Sequence, residues 1–294
     1  GDEVPHAPHI AVSGSAWPGA AAVYRASGSD GFALDKLVQQ RATIGLTRSV
    51  LSPATPGQFD NGPELEIDLL SGTLSSVDEE ALLAGANLAA IGDGSTDLWE
   101  LFQFQTAALI APQKYLLSGR LRGQLGSDAV ARQSWPEGSR FVLLDRSVTQ
   151  LDLPTNLRRV SQTYRVGPAR RGYEDPSFVV QNHAFEGVGL RPYAPCHLGM
   201  NEDSRVSWIR RTRIDGDSWE APDVPLGEEF EQYIVRVTTT GAGIVREELV
   251  TQSNWVYAPA QRSADGIFGP YTIEVAQVSG RFGPGSFAKI DVAG

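Results

Sequence analysis

Residues 92–128 limit the possible folds of this chain more than any other stretch. A turn cluster at 92–95 precedes an aromatic and apolar run at 98–109, which is broken at Pro112. Tyr115, Leu117 and Leu121 then alternate with other residues, and a glycine-rich turn ends the run. Short apolar runs with a two-residue period between Gly and Pro turns are typical of strands. The stretch therefore predicts a β-hairpin.

The composition extends this β interpretation to the whole chain. The 294 residues include 31 Gly, 18 Pro and a single Met, and patterns for long amphipathic helices are nearly absent. Many short strands joined by turns suit such a composition. The fold class that we predict is mainly β and multi-domain, with short helices in the first part and a β-sandwich at the C-terminal end.

Local patterns place several elements within this frame. Apolar residues alternate at 65–70, which predicts a half-buried strand, and three Pro and two Gly predict a loop at 52–63. Ser76 and Glu79 have the spacing of a capping box, which predicts a short helix over 77–84 that ends at Gly85. Ser127 and the residue after it predict the cap of another brief helix.

The domain boundaries follow from Pro-rich segments. We expect a linker at 1–8, one or two β-rich domains at 9–190, and a fibronectin-type-III-like domain at 191–294 that begins with a stiff Pro-rich connector. The sandwich strands are predicted at 206–209 with Trp208 in the core, and at 231–239, 255–257, 271–278 and 287–292.

Charge, hydropathy and cysteine content exclude several classes of function. The net charge is −10, which argues against general binding to phosphate backbones. There is no apolar run of about 18 residues, so no membrane span is predicted. Without an initiator Met or a signal-peptide pattern, we expect the chain to be a piece of something longer. The lone cysteine, Cys196, is predicted to be a small core residue.

The candidate binding residues each have a simpler explanation. The acidic turns at 93–97 and 215–217 resemble the start of a calcium loop, but they lack the further ligands and are better explained as turns. The four histidines have no zinc spacing. They are His6, His9, His183 and His197. The sequence therefore predicts no catalytic, cofactor-binding or metal residues, and no enzyme.

Three further groups of residues are weighed in the same way. Adjacent carboxylates could supply the pair that glycoside hydrolysis needs, although such doublets are usually solvated. Arginine clusters either pair with local acids or contact a neighbouring subunit, and the alternatives are even for Arg210 and Arg213. Three tryptophans beside turns could be exposed and form a glycan-binding face, but packing in the core or over the ends of the sandwich is the favoured explanation. The residues are Glu79, Glu80, Glu228, Glu229, Glu247, Glu248; Arg158, Arg159, Arg170, Arg171, Arg210, Arg211, Arg213; and Trp17, Trp135, Trp219.

Several blocks of the sequence carry a family resemblance. They are Trp99 to Phe104 (Trp-Glu-Leu-Phe-Gln-Phe), the Leu-Ser-Gly and Leu-Arg-Gly-Gln runs at 117–124, the block at 189–198, and the block at 208–213 with its continuation at 216–219. Together they resemble the C-terminal third of the tail-tip hub protein of gene transfer agents and related long-tailed phages. That protein is often described as a host-specificity protein, and it carries a TIM-barrel-like, hydrolase-related domain upstream. Eight βα units are not present in this chain.

The resemblance implies a structural role in a virion or gene transfer agent particle, at the distal tip of the tail. It implies a homotrimer that closes the tail tube, organises other tail-tip or baseplate proteins and contributes to contact with a host surface glycan or receptor. Two alternatives stay open. The chain could supply accessory carbohydrate-binding β-modules of a cell-wall or polysaccharide hydrolase, or it could be a bacterial extracytoplasmic adhesin.

Overall fold

The computed structural model describes residues 4–216 and 224–293. Strands hold 41% of the residues and helices 8%, which confirms the prediction of a mainly β chain with few short helices. Contacts divide the chain into two compact units, Gly1–Gly189 and Leu190–Gly294, which are described separately. Within the described residues, no helix is both long enough and apolar enough to span a bilayer.

The first unit consists of three antiparallel sheets. Its described strands are, in chain order, β1 (His9–Ile10), β2 (Ala21–Ala26), β3 (Ala33–Val38), β4 (Ile44–Thr47), β5 (Phe59–Asp60), β6 (Leu65–Ser71), β7 (Leu88–Gly92), β8 (Trp99–Ala111), β9 (Lys114–Leu121), β10 (Arg140–Leu143), β11 (Thr149–Gln150), β12 (Gln162–Pro168) and β13 (Val179–His183).

The central sheet of this unit closes into a barrel. Its strands follow the order β9-β6-β4-β10-β7-β8, and β8 pairs with β9 again, so that each strand of the ring has two neighbours. Strand β5, which lies within the predicted loop 52–63, pairs with β9 outside the ring. The predicted hairpin is β8 and β9, joined by the Pro112 turn. Closure satisfies the backbone groups that an open sheet leaves unpaired at its edges.

Alternating side chains fill the barrel. Leu65, Ile67 and Leu69 are buried along β6, which confirms the half-buried strand predicted there. Three phenylalanine rings, Phe102, Phe104 and Phe141, meet in the centre with ring centroids 6.2–6.4 Å apart. Aromatic rings at these separations and tilts contribute beyond the apolar area that they bury.

The barrel is inserted into a second sheet. This four-stranded sheet has the order β13-β12-β2-β3, so the chain leaves it after β3, forms β4 to β10, and returns at β12. Strands β1 and β11 pair with each other beside it. Its own core is small and includes Val23, Val38 and Tyr164. Residues 4–8, which the sequence assigned to a linker, hydrogen-bond to Gln150 and Leu151.

Two short helices interrupt these strands, α1 (Glu79–Leu83) and α2 (Asp128–Ala131). The predicted capping box is wrong. Asp78 caps α1 by accepting from Ala81 N at 2.8 Å, because the hydroxyl of Ser76 already accepts from the backbone of β8 at 3.0 Å. Ser127 precedes α2 but does not cap it with its side chain, which bonds to Gln124 O and to Leu101 instead.

The second unit is a sandwich of a three-stranded and a larger antiparallel sheet. The three-stranded sheet has the order β14-β15-β18, the other has the order β17-β16-β19 with β20 and β21 also on β19, and this is the fibronectin-type-III-like arrangement that the sequence predicts. The described elements are β14 (Cys196–Met200), β15 (Arg205–Ile209), β16 (Tyr233–Thr239), β17 (Gly243–Val250), β18 (Asn254–Val256), α3 (Pro259–Ala264), β19 (Tyr271–Ser279), β20 (Gly283–Pro284) and β21 (Ala288–Val292).

The inner faces of the sandwich carry the residues that the sequence placed there. Tyr233, Val235 and Val237 are fully buried, and the ring of Trp208 meets Tyr233 edge-on with centroids 5.1 Å apart. Strands β14 and β17 were not predicted. Cys196 lies on β14, is half-buried and donates to Ile209 O at 3.7 Å, so its assignment to the core is wrong. A register shift in β14 at this point interrupts its alternation.

Candidate functional site

A cluster of charged side chains lies inside the barrel, where the fold has excluded water. Glu100 on β8 and Arg122, just after β9, are both fully buried. The two nitrogens Nε and Nη2 of Arg122 bond to the two oxygens of Glu100 at 2.5 and 2.8 Å. This is the bidentate geometry in which arginine and a carboxylate bind most strongly.

Glu100 accepts two further hydrogen bonds. Trp135 Nε1 donates to Oε2 at 2.7 Å, and the backbone of Gly123 donates to Oε1 at 3.2 Å. Only 3% of Trp135 is exposed and its ring belongs to the barrel core, which agrees with core packing as the favoured explanation for this tryptophan. A buried indole nitrogen needs an acceptor, and Glu100 supplies it.

Asp60 joins the cluster from the loop 52–63. Its Oδ2 accepts from Arg120 Nε at 3.0 Å and from Arg122 Nη1 at 3.1 Å, while Arg122 Nη1 also donates to Ser52 O at 2.9 Å. Burial raises the pKa of Asp60, but bonds from Arg120, the backbone and Arg122 outweigh it, so the pKa is lowered from its ordinary value. The network therefore holds a loop rich in Pro and Gly against the barrel.

The cluster is electrically balanced and internally bonded. Two arginines face two carboxylates, and both oxygens of Glu100 are occupied by donors of the chain itself. Such an arrangement fixes a conformation, because unpairing a buried charge costs several kcal/mol. Sequence reasoning missed the network, although Arg120 and Arg122 gave a signal: two cations at i and i+2 in a run that otherwise suits a buried strand.

The doublets at 228–229 and 247–248 separate in the structure, since each of these four carboxylates has its own partner. On β17, Glu247 pairs with Arg236 at 2.5 Å, whereas Glu248 pairs with Arg246 at 2.6 Å. Consecutive side chains of a strand point to opposite faces, which explains the separation. Glu79 and Glu80 are exposed in the first turn of α1, where the helix dipole favours anions.

The doublet at 228–229 behaves in the same way. Glu228 forms an ion pair with Arg213 at 2.9 Å, with only 3% and 10% of the two side chains exposed. Glu229 accepts from the backbone of Gly280 at 3.0 Å and pairs with Arg281 at 2.9 Å. The doublets at 228–229 and 247–248 therefore do not present two carboxylates to one side, as a hydrolytic pair would require.

A second network ties the sandwich together. Arg246 binds both oxygens of Asp265, at 2.6 and 2.8 Å, and also Glu248. Tyr257 donates to Asp265 at 2.7 Å, and Trp255 donates to Glu248 at 2.9 Å. Bonds from Arg246 lower the pKa of Asp265, although its partial burial opposes this shift. The network anchors the segment after α3 to the edge strand β17.

The acidic turns have the geometry of local turns. Asp93 Oδ1 accepts from Ser95 N at 2.8 Å, and its bonds to Ser95 lower the pKa of Asp93. Asp215 adopts a positive φ of 46°, and Asp217 lies outside the described residues. Across residues 4–216 and 224–293, no group of three His, Cys, Asp or Glu side chains is arranged to hold a metal ion.

The histidines lie on separate elements. His6 bonds to Leu153 O at 2.9 Å, and His183 bonds to the side chain of Gln181 at 3.1 Å. His9 begins β1, and His197 is exposed with a φ of 52°.

Several arginines pair with residues of this chain, which is one of the two alternatives stated for the arginine clusters. Arg159 pairs with Glu186 at 2.8 Å, and Arg171 pairs with Asp175 at 3.1 Å. Arg210 donates to two backbone carbonyls, one of them Pro225 O at 2.9 Å.

Of the other two tryptophans, Trp17 is half-buried against the core of the four-stranded sheet. Trp219 lies outside the described residues.

A cavity of about 270 Å³ lies between the segment that begins at Val4, β2 and the residues after β11. Arg25 lines it, and Arg25 Nε lies 3.1 Å from Oδ1 of Asp35, whose side chain is 1% exposed. Burial raises the pKa of Asp35 and raises that of Tyr164 to about 12. The remaining lining is mostly apolar, and includes Leu151 and Leu153.

Comparison with known proteins relates part of the chain to a described family. No curated protein matches the chain at a significant level. Residues 42–142 match the model of the family described as Rcc01698-like, C-terminal, which relates to gene transfer agent proteins. The matched segment begins two residues before β4 and ends within β10, so it coincides with the barrel.

Proposed function

We propose that this chain is the C-terminal part of a tail-tip hub protein in a gene transfer agent or a related phage-like particle. The observation that carries the proposal is the family match to residues 42–142, because it covers a segment that closes on itself as a barrel. A match to a complete structural module is stronger support than a match to scattered motifs.

The residues of the sequence resemblance support the same proposal, since they have defined places in that barrel. Glu100 and the rings of Phe102 and Phe104 lie on β8, and Arg122 and Gly123 complete the buried network. Fold alone does not give function. Here, however, the resemblance lies in specific residues that hold one particular barrel together.

In this proposal the chain is a structural component, present as a homotrimer around the tail axis. The first unit helps to close the tube and to organise neighbouring tip proteins, and the sandwich acts as a spacer or contributes to host contact. The outer face of its larger sheet suits exposure to solvent. A row of side chains there alternates in charge across four strands, from Glu247 to Arg236, Glu274 and Lys289.

Immunogold labelling of particles from the strain that encodes the chain tests the proposal. An antibody raised against residues 42–142 is expected to label one end of the tail and nothing else. An antibody against the major tail-tube protein, which decorates the whole tail, is the control. Unlabelled particles, with the antigen recovered from the soluble secreted fraction, would refute the proposal and favour a glycan-binding module of a hydrolase or an adhesin.

A further inference from the structure

The loop 52–63 contains the one Asn-Gly sequence of the chain, at Asn61 and Gly62. Asparagine followed by glycine is especially prone to deamidation, because the second residue has no side chain to hinder attack by its own backbone nitrogen. Glycine also gives the backbone the freedom to reach the geometry of that attack. Both residues are exposed, so water reaches them. The loop therefore carries two residues that can react with each other without an enzyme.

The structure holds the nucleophile of this reaction in a hydrogen bond. The backbone N–H of Gly62 donates to Oδ1 of Asp60 at 2.9 Å. The other oxygen of Asp60 accepts from Arg120 and Arg122 at 3.0 and 3.1 Å. Because both arginines are buried, they fix the position of the carboxylate, and the carboxylate fixes the N–H that it binds. The nitrogen of Gly62 is thus tied to the buried network.

This hydrogen bond opposes deamidation in two ways. The backbone nitrogen attacks as its anion, and an amide anion 2.9 Å from an ionised carboxylate is electrostatically unfavourable. The bond also has to break before the nitrogen can turn from Asp60 toward the side chain of Asn61. Burial raises the pKa of Asp60, but hydrogen bonds from the two arginines and from Gly62 outweigh it. The carboxylate is therefore ionised at neutral pH, where deamidation proceeds.

We propose that Asn61 is a deamidation site that Asp60 keeps unreactive while it holds the loop 52–63 against the barrel. Surface loops open locally at small cost in free energy. In the open loop, the nitrogen of Gly62 attacks Cγ of Asn61, a C–N bond forms, and the amide nitrogen leaves as ammonia with the proton that Gly62 gives up. Water then opens the resulting succinimide at either carbonyl, which gives aspartate or isoaspartate. Water is the only co-reactant.

The isoaspartate product cannot rebuild the closed loop in its original form. It inserts a methylene into the main chain directly before Gly62, which moves the N–H of this residue away from Asp60. It also adds a carboxylate next to Asp60, and like charges at this distance repel. Deamidation thus makes a reversible opening of the loop permanent. The proposal concerns the loop and its network, and it does not rest on the proposed function.

Peptide mapping by mass spectrometry, on the full chain incubated at neutral pH, tests the proposal. The reference is the same chain held unfolded in guanidinium chloride, in which Asn61 keeps its sequence neighbours. Breaking a hydrogen bond to a charged group costs enough that we expect the folded chain to deamidate at Asn61 at least about tenfold more slowly. Equal rates in the folded and the unfolded chain would overturn the proposal.

Two variants of Asp60 identify the hydrogen bond as the cause. Asp60→Ala removes the acceptor of the Gly62 N–H, whereas Asp60→Asn keeps an acceptor oxygen, and both leave the same two arginines without this carboxylate. We expect the folded Asp60→Ala chain to deamidate several-fold faster than the folded Asp60→Asn chain. Hydrogen exchange of peptides from 99–121 checks that the two barrels fold alike. Equal rates in the two folded variants would refute the role of Asp60.

A control variant separates this bond from a general loosening of the barrel. Asp68→Asn unpairs the exposed Arg48 on the same barrel and leaves Asp60 in place, so the rate at Asn61 should stay that of the wild type. Faster deamidation in this variant would overturn the proposal. Where a variant of Asp60 does not fold, the comparison of the folded with the unfolded wild type decides alone.

Discussion

Replacing Glu100 with Gln is expected to destabilise the barrel severely, although the two side chains have nearly the same shape. The carboxylate accepts four hydrogen bonds, two from Arg122 and one each from Trp135 and Gly123. A carboxamide offers one oxygen and one NH₂ group. Whichever way it is oriented, its NH₂ faces an N–H donor, and the positive charge of Arg122 loses its bidentate partner.

The magnitude follows from burial. Glu100 and Arg122 are both 0% exposed, so water cannot replace the lost interaction. Removing one partner of a buried ion pair typically costs about 3–5 kcal/mol. Asp60 lies 3.1 Å from Arg122 and still neutralises part of the arginine's charge. We therefore expect a cost of about 3 kcal/mol for Glu100→Gln. Either Trp135 or Gly123, depending on the orientation of the amide, loses its acceptor as well, so about 3 kcal/mol is the lower end of the expected cost.

Hydrogen exchange at increasing urea concentrations measures this effect. Peptides from 99–121 report the unfolding free energy of the barrel, and peptides from 233–239 report the sandwich of the same molecules. We expect the first value to fall by about 3 kcal/mol and the second to stay the same. The two-unit chain needs this regional readout, because one global transition does not describe it.

Two controls separate the charge effect from a general loss of packing. Asp68→Asn removes the partner of Arg48 from a pair whose side chains are 28% and 44% exposed, and should cost less than about 1 kcal/mol. The double variant Glu100→Met with Arg122→Met should recover much of the lost stability, because no unpaired charge remains. A cost below about 1 kcal/mol for Glu100→Gln would refute the argument.

Further predictions concern backbone, pH and surface charge. Gly72→Ala should cost about 2 kcal/mol or more in urea denaturation, because φ is +85° and a Cβ would clash with the side chain of Thr43. Gly57→Ala, with φ +79° and free space, should cost only about 1 kcal/mol. The lowered pKa of Asp60 means that its contribution is present above about pH 4 and is lost as the pH falls further, so the stability difference between wild type and Asp60→Asn should stay constant above about pH 4 and shrink below it. Glu274→Gln, which loses the contact with Lys289, should cost less than about 1 kcal/mol by the same assay, and less still in 1 M salt.

The sequence predicted those elements whose signal is local. Side chains of a strand alternate, so the apolar residues at 65–69 and 233–237 identified their strands directly. The edge strand β17 escaped notice because Arg246, Glu247 and Glu248 occupy its middle, and all three belong to ion pairs that only the folded sheet reveals.

Interactions between residues that are far apart along the chain could not be predicted from the sequence. The second pairing of β8 with β9, which completes the barrel, depends on six strands that meet in space. Arg122 is 22 residues from Glu100 and 62 from Asp60, and no local pattern joins them. Ser76 has the spacing of a cap, but its hydroxyl accepts a hydrogen bond from the backbone of β8, and Asp78 caps the helix instead.

The insertion of the barrel between β3 and β12 sets an order of events during synthesis. Ala26 on β2 pairs with Thr163, a residue that leaves the ribosome long after it. Strands β4 to β10 can close their ring from chain that is already available. The barrel is therefore expected to fold first, while β2 and β3 wait as an incomplete hairpin for β12. During that interval the nascent first unit is most open to misassembly and to chaperones.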